Sequence, residues 1–195
     1  MSTARLSITS YVVLGLIAMR GPSTSYDLKR AINHSVGFFW PFPHAQLYSE
    51  PKRLSQAGLL DVSAETTGRR RQTFSITDKG MEALRQWLAE PTAEQMQIRD
   101  IAELKLFFAE LATDEDVLAL AREQELQHRH RIEVYESMQS RFVGRDDLAA
   151  RMVPLRLGLA MEHAALQFWS DLTEELELRA GQDQGRTGTD REIGA

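Results

Sequence analysis

The stretch GLLDVSAETTGRRRQTFSITDKG, residues 58–80, decides the fold. Gly58 marks the end of a preceding helical pattern, because glycine takes the left-handed backbone that closes a helix without strain. Leu59-Leu60-Asp61-Val62 then opens a strand, and Glu65-Thr66-Thr67-Gly68 is polar enough to turn. From Arg70 to Ile76 basic or polar residues alternate with Phe74 and Ile76, the period of a half-exposed strand. The two runs form a hairpin whose turn carries Arg69, Arg70 and Arg71. Thr77-Asp78-Lys79-Gly80 starts a further helix bearing Met81, Leu84, Trp87 and Leu88, ended by Pro91. A lone hairpin is marginally stable in water, so this one needs helices to cover it.

The upstream sequence supplies them. Leu6 to Met19 predicts a largely buried helix, with Ser7 or Thr9 as its cap and Gly21-Pro22 as its end. A second short helix starts at Ser25, capped by Thr24 or Ser25, and Gly37 ends it. Phe38, Phe39, Trp40 and Phe42, interrupted by Pro41 and Pro43, form an aromatic knot expected to pin the loop to the core. A third helix runs from about His44 to Gln56 with Leu47, Leu54 and Ala57 inward. Pro51 inside it removes a backbone hydrogen bond and crowds the previous turn, at roughly 3 kcal/mol. The helix is therefore expected to kink there or to begin later than His44. Three helices, a hairpin and a helix make the layout of a winged helix-turn-helix, placed at residues 1–92.

The remainder reads as all helix. Ile98, Ile101, Leu104, Phe107, Phe108 and Leu111 give one apolar stripe. Thr113 with Asp116 is a capping pair that introduces a long segment through Leu126, Ile132, Tyr135 and Met138. After a break at Gly144 to Asp147, a last helix from Arg151 to about Leu178 carries apolar residues on more than one side. Helices apolar on several flanks need partners, and a second copy related by twofold symmetry supplies the missing surface. Residues 93–178 are thus assigned to dimerisation and effector sensing, and residues 179–195 to a flexible tail. The fold class is mainly α with a small β-hairpin: a winged helix-turn-helix domain followed by an all-helical dimerisation domain.

Composition narrows the function. The chain has 195 residues, 43% hydrophobic and 26% charged, with a net charge of -5 and no cysteine. Disulfides, thiol catalysis and thiolate metal sites are excluded. Residues 1–92 carry 11 Lys and Arg against 7 Asp and Glu, while residues 93–195 carry 12 against 21. A basic front suits a polyanion and an acidic back suits solvent or protein. His128 and His130 lie two apart, on different helix faces, so they make no helical metal pair; Glu125 and Glu133 are expected to form ordinary ion pairs with them. No Gly-rich phosphate loop or serine nucleophile elbow appears. No catalytic residue, metal or cofactor is expected. No apolar run is long enough to cross a membrane and the N-terminus lacks a secretory layout, so the expected location is cytoplasmic.

Four stretches carry a resemblance. Tyr11-Val12-Val13-Leu14-Gly15-Leu16-Ile17 with Gly21-Pro22-Ser23-Thr24-Ser25-Tyr26-Asp27-Leu28 is the first. Phe39-Trp40, His44-Ala45-Gln46-Leu47-Tyr48 and Lys52-Arg53-Leu54 make the second. Gly58-Leu59-Leu60 with residues 69–80 is the third, and Arg99-Asp100 through Leu104-Lys105-Leu106-Phe107-Phe108 the fourth. Together they resemble the PadR-like transcriptional regulators, with a C-terminal part similar to the virulence-activator alpha-helical domain. The resemblance implies a cytoplasmic homodimer that binds a palindromic operator in double-stranded DNA, usually as a repressor. It also implies a small-molecule effector in some members, such as a phenolic acid. Pro51 departs from the family, many of whose members have Leu there.

On that frame, groove contact is expected from His44, Gln46 and Ser49, since glutamine can pair with adenine in the major groove. The resemblance adds Tyr48 against the duplex backbone, with a packed core tyrosine as the rival reading. Lys52, Arg53, Lys29 and Arg30 can neutralise phosphates, and Ser25 and Tyr26 can bond one at their helix N-terminus. Arg69, Arg70 and Arg71 sit at the wing tip, where minor-groove or phosphate contact is easy. Phe107, Phe108, Phe168, Trp169 and Leu172 are the candidates for an effector cavity or the dimer interface. The alternative function is a winged-helix protein-interaction module without DNA binding.

Overall fold

The structure is a computed structural model that describes residues 6–40, 45–64, 71–145 and 148–192, the last ten of these for the backbone alone. It divides into two compact units, Met1–Gln95 and Met96–Ala195. In the first, α1 (Ile8–Arg20) begins at a capping box in which Ser7 and Ser10 satisfy each other's backbone N–H. Val13, Leu14, Leu16 and Ile17 are buried, and Gly21 at φ 84° ends the helix by donating to the Ile17 carbonyl.

Strand β1 (Ser23–Thr24) follows, and Thr24 also caps α2 (Ser25–Asn33) through a capping box with Asp27. The Thr24 hydroxyl and N–H hold the Asp27 carboxyl below its ordinary pKa. Helix α2 ends at Asn33, before the glycine expected to stop it, and Val36–Phe38 forms a short 3-10 turn. Phe38, Phe39 and Trp40 are exposed, Phe39 at 64%, rather than pinned to the core. Ile32 and Leu28 fill the core from α2, and the turn leaves these three rings outside it. Phe42 lies outside the described residues.

Helix α3 (Gln46–Gln56) begins two residues later than expected and continues through Pro51. Pro51 is fully buried inside the helix, where it has no N–H to donate to the carbonyl four residues back. Gly58, at φ 73°, then turns the chain into β2 (Leu60–Ala64), which pairs antiparallel with β3 (Gln72–Ile76), Val62 opposite Phe74. The expected hairpin is part of a larger sheet, because β1 pairs with the other edge of β3, giving the order β1-β3-β2.

Helix α4 (Asp78–Ala89) is capped by Thr77, whose hydroxyl accepts from Gly80 N–H and donates to the Gly58 carbonyl. A Cβ on Gly80 would stand 2.1 Å from the Leu59 carbonyl oxygen, so only glycine permits this docking. Trp87 of α4 stacks on Tyr11 of α1 with ring centroids 4.6 Å apart. The core joins Leu14 and Ile17 of α1, Leu28 and Ile32 of α2, Leu47 and Leu54 of α3, and Phe74 of β3.

In the second unit, the apolar stripe from Ile98 to Leu111 is not one helix. Asp100 caps α5 (Ile101–Phe107) by accepting from Ala102 N–H, and a 3-10 turn, Ala109–Leu111, follows. Ile98 precedes the cap. Helix α6 (Asp114–Ser140) begins with the expected Thr113–Asp116 box. Helix α7 (Ala149–Glu192) includes Pro154 and runs through the stretch from Gly181 that composition marks as a tail. Helices α6 and α7 are antiparallel, as successive pairs Arg122–Glu177, His128–Glu162 and Tyr135 over Gly158 show. Ala102, Ala121 and Trp169 form the core, with Leu106, Leu120, Ala165 and Leu172 packed on it.

Candidate nucleic-acid interface

Helix α3 is amphipathic in the helical period. Leu47, Glu50, Pro51 and Leu54 face inward, which turns Gln46, Tyr48, Ser49 and Lys52 to solvent. Tyr48 is 49% exposed, so it is not a packed core residue. On α2, Tyr26 and Arg30 are exposed and Ser25 and Lys29 half-buried. Residues 34–45 separate the two helices, a longer connection than the roughly 3–4-residue turn of the simplest helix-turn-helix.

Two consecutive residues of α1 grip successive turns of α3. The Thr9 hydroxyl donates to Gln46 Oε1 at 2.8 Å, leaving the Nε2 donors without a partner among the described residues. Next to it, the fully buried Ser10 hydroxyl donates to Glu50 Oε1 at 2.6 Å and accepts from Arg53 Nη2 at 3.0 Å and Ser7 N–H at 2.8 Å. Arg53 closes a bidentate pair on Glu50, Nε to Oε2 at 2.9 Å and Nη2 to Oε1 at 2.6 Å. The Arg53 guanidinium, aided by the Ser10 hydroxyl, holds the Glu50 carboxyl below its usual range against the opposing cost of burial; the same pair raises Arg53.

Arg53 therefore differs from the free phosphate-neutralising cation that the sequence suggests. Its charge is matched by Glu50, although its side chain remains 40% exposed. The i,i+3 spacing of Glu50 and Arg53 is the signal in the sequence; the buried hydroxyl beneath them is not legible there, because Ser10 lies forty residues away. Lys52, Arg30 and Arg71 are exposed cations, and Arg71 directly precedes β3. His44, Arg69 and Arg70 lie outside the described residues.

In the helical unit, Phe107 and Phe108 are exposed and meet edge to face, as do Phe168 and Trp169. Trp169 is only 4% exposed and Leu172 packs beside it, so both build the unit's own core. His128 pairs with Glu162 across the helices, not with Glu125, which binds Arg129; His130 stands 3.8 Å from Glu133. Among the described residues no group of three or more acidic or histidine side chains is arranged to hold a metal, and no helix is long and apolar enough to cross a membrane.

Residues 13–86 match the family model described as the transcriptional regulator PadR-like family, and residues 98–177 match virulence activator alpha C-term. The negative transcriptional regulator PadR of Bacillus subtilis is 26% identical over 121 residues, 61% of this chain and 66% of that protein. The match thus spans just under two thirds of that curated relative. The crystal structure of Bacillus subtilis PadR in complex with operator DNA has a TM-score of 0.79 at 20% identity, covering 87% of this chain and 99% of that one. The same protein in complex with p-coumaric acid gives 0.73 at 18% identity, covering 89% and 99%. The virulence activator AphA of Vibrio cholerae gives 0.67 at 24% identity, covering 88% and 99%. At these identities the solved structures show a shared fold.

Proposed function

We propose, because the chain belongs to the transcriptional regulator PadR-like family with a C-terminal part like the virulence-activator alpha domain, that it regulates transcription as a homodimer on a palindromic operator. Repression is the direction we assign. The observation that carries the reading is the outward face of α3, where Gln46, Ser49 and Lys52 stand on a helix anchored by buried Leu47 and Leu54. Tyr48 and the α2 residues Ser25, Tyr26, Lys29 and Arg30 take the phosphates around it, as polar groups at a helix start do. His44 belongs with the groove contacts, and Arg69, Arg70 and Arg71 with the wing. Arg53 is given a supporting place, its charge being shared with Glu50.

Residues 1–92 would carry DNA contact and residues 93–178 dimerisation. An aromatic effector is assigned to Phe107, Phe108 and Phe168, by extension from the relative bound to p-coumaric acid. No catalytic step is assigned.

The test is selection of bound fragments from the source genome by the full chain. The reading expects a palindrome with half-sites about one helical turn apart, roughly 34–36 Å. R69A/R70A/R71A should weaken binding to every fragment and lower the salt slope by about 1 for each phosphate no longer neutralised. Failure to enrich any fragment, with the dimer intact, would leave the protein-interaction reading instead.

A further inference from the structure

The helical unit contains an open cavity of about 500 Å³ between the segment leading into α5, α5 itself and α6. Arg99, Lys105 and Arg131 bring three guanidinium or ammonium groups to it, and Gln124 adds a neutral donor, while the Gln127 amide is engaged on Glu123. Neither Arg99 nor Lys105 has a carboxylate partner among the described residues. The one carboxylate in the lining, Asp100, is already engaged on Ala102 N–H at 2.8 Å.

Behind the cavity lies a buried acid. Glu162 of α7 is 9% exposed and accepts from His128 Nδ1 at 2.6 Å and Arg131 Nη1 at 3.1 Å. The contact between His128 Nδ1 and Glu162 holds the ring from the α7 side, while His128 also lines the cavity. Arg131 is fixed in the same way, one nitrogen on Glu162 and its other donors without a partner among the described residues. Two of the lining groups are thus held rigidly from behind, and two stand unpaired in front. Among the described residues no Phe, Tyr or Trp lines the cavity, and Ile101, Ala102 and Leu120 supply its apolar wall.

We propose that this cavity is a binding site for a small dianionic oxyanion, a phosphate or a dicarboxylate. Arg99 and Lys105 supply the neutralising charge, and Arg131 and Gln124 orient the oxygens. The site is distinct from the aromatic effector residues and does not rest on DNA binding. Its ligand class follows from charge: Arg99 and Lys105, unpaired among the described residues, together favour a dianion over a monoanion.

Inorganic phosphate and succinate are titrated separately into the full chain by calorimetry, with chloride holding ionic strength constant and p-coumarate as the aromatic monoanion control. The result expected is saturable binding of phosphate, succinate or both, one per chain, tighter than p-coumarate by tenfold or more. The arm that binds identifies the source of the oxyanion. His128 ring resonances should move with the same midpoint, a readout that charge screening would not give. R99Q/K105Q leaves the His128–Glu162–Arg131 contacts in place and should reduce affinity at least tenfold at unchanged melting temperature. If that variant does not fold, K105Q alone must weaken binding for the assignment to stand. Absence of saturation, p-coumarate binding as well as the dianions, or unchanged affinity in these variants overturns it.

Discussion

Ser10 is a small side chain with a large consequence, since its hydroxyl meets Glu50, Arg53 and the α1 N-terminus at once. S10A removes one of the two donors to Glu50 Oε1 and the acceptor of the Ser7 N–H, leaving the Arg53 pair in place, so it should cost about 1–3 kcal/mol in urea unfolding. Glu50 gives the matching pH dependence. Its folded pKa is depressed, chiefly by Arg53, so its contribution is complete above the ordinary carboxyl value and is lost as pH falls through the lower folded value. The stability gap between the native chain and E50Q should therefore close on acidification below about pH 4.5 and stay level above it. A gap that widened in acid would refute the pairing. Thr9 makes a different prediction. With Oε1 of Gln46 held, the amide presents its donors, which suits the two acceptors of guanine more than the mixed edge of adenine. T9V should broaden base preference at one operator position while T9S preserves it, read by sequencing selected fragments. The sequence places Gln46 at the start of α3 and points to adenine; a partner thirty-seven residues away is beyond its reach.

Elements are legible where local chemistry fixes them. The caps Thr24, Thr77 and Thr113, the paired strands, and Gly21 and Gly58 are signals contained within a few residues. Strand β1 is invisible in the sequence because two residues have no period, and only β3 makes Ser23–Thr24 a strand. The Ile98–Leu111 stripe reads as one helix because apolar spacing does not reveal that Asp100 caps inside it. Helix α3 begins after His44, at Gln46, yet Pro51 is its sixth residue, so the later start does not take the proline out of the helix interior. Two glycines separate packing from propensity. At Gly80 an added methyl would press on the Leu59 carbonyl where α4 meets β2, so G80A should destabilise by roughly 1–3 kcal/mol or more. Gly15, inside α1, has nothing within 4 Å of its missing Cβ, so G15A should stabilise by up to about 1 kcal/mol. Melting curves of the two variants should move in opposite directions, and a shared direction would contradict the docking of α4.

At the scale of the whole molecule, the question is what covers the apolar surface of the helical unit. Phe107 is 78% and Leu111 82% exposed, and Ile101 and Leu104 are exposed beside them in sequence. Trp169, by contrast, is enclosed by its own unit. Charge at the two kinds of position must then act differently. W169E places an ion in a core and should unfold the helical unit outright. F107E/L111E alters residues that a lone chain shows to water, where substitutions ordinarily change stability by no more than about 0.5 kcal/mol. If a second copy covers them, the same pair instead buries unpaired charge against the partner and prevents assembly. The expected outcome is a folded monomer by light scattering at micromolar protein, with native helical circular dichroism. Operator affinity should fall with it, by about 10²- to 10⁴-fold, because the second half-site is then no longer bound intramolecularly. A charged variant that remains a dimer and binds DNA normally would place the interface on another surface of the chain. A variant that monomerises yet keeps full affinity would mean that one winged unit suffices for the operator.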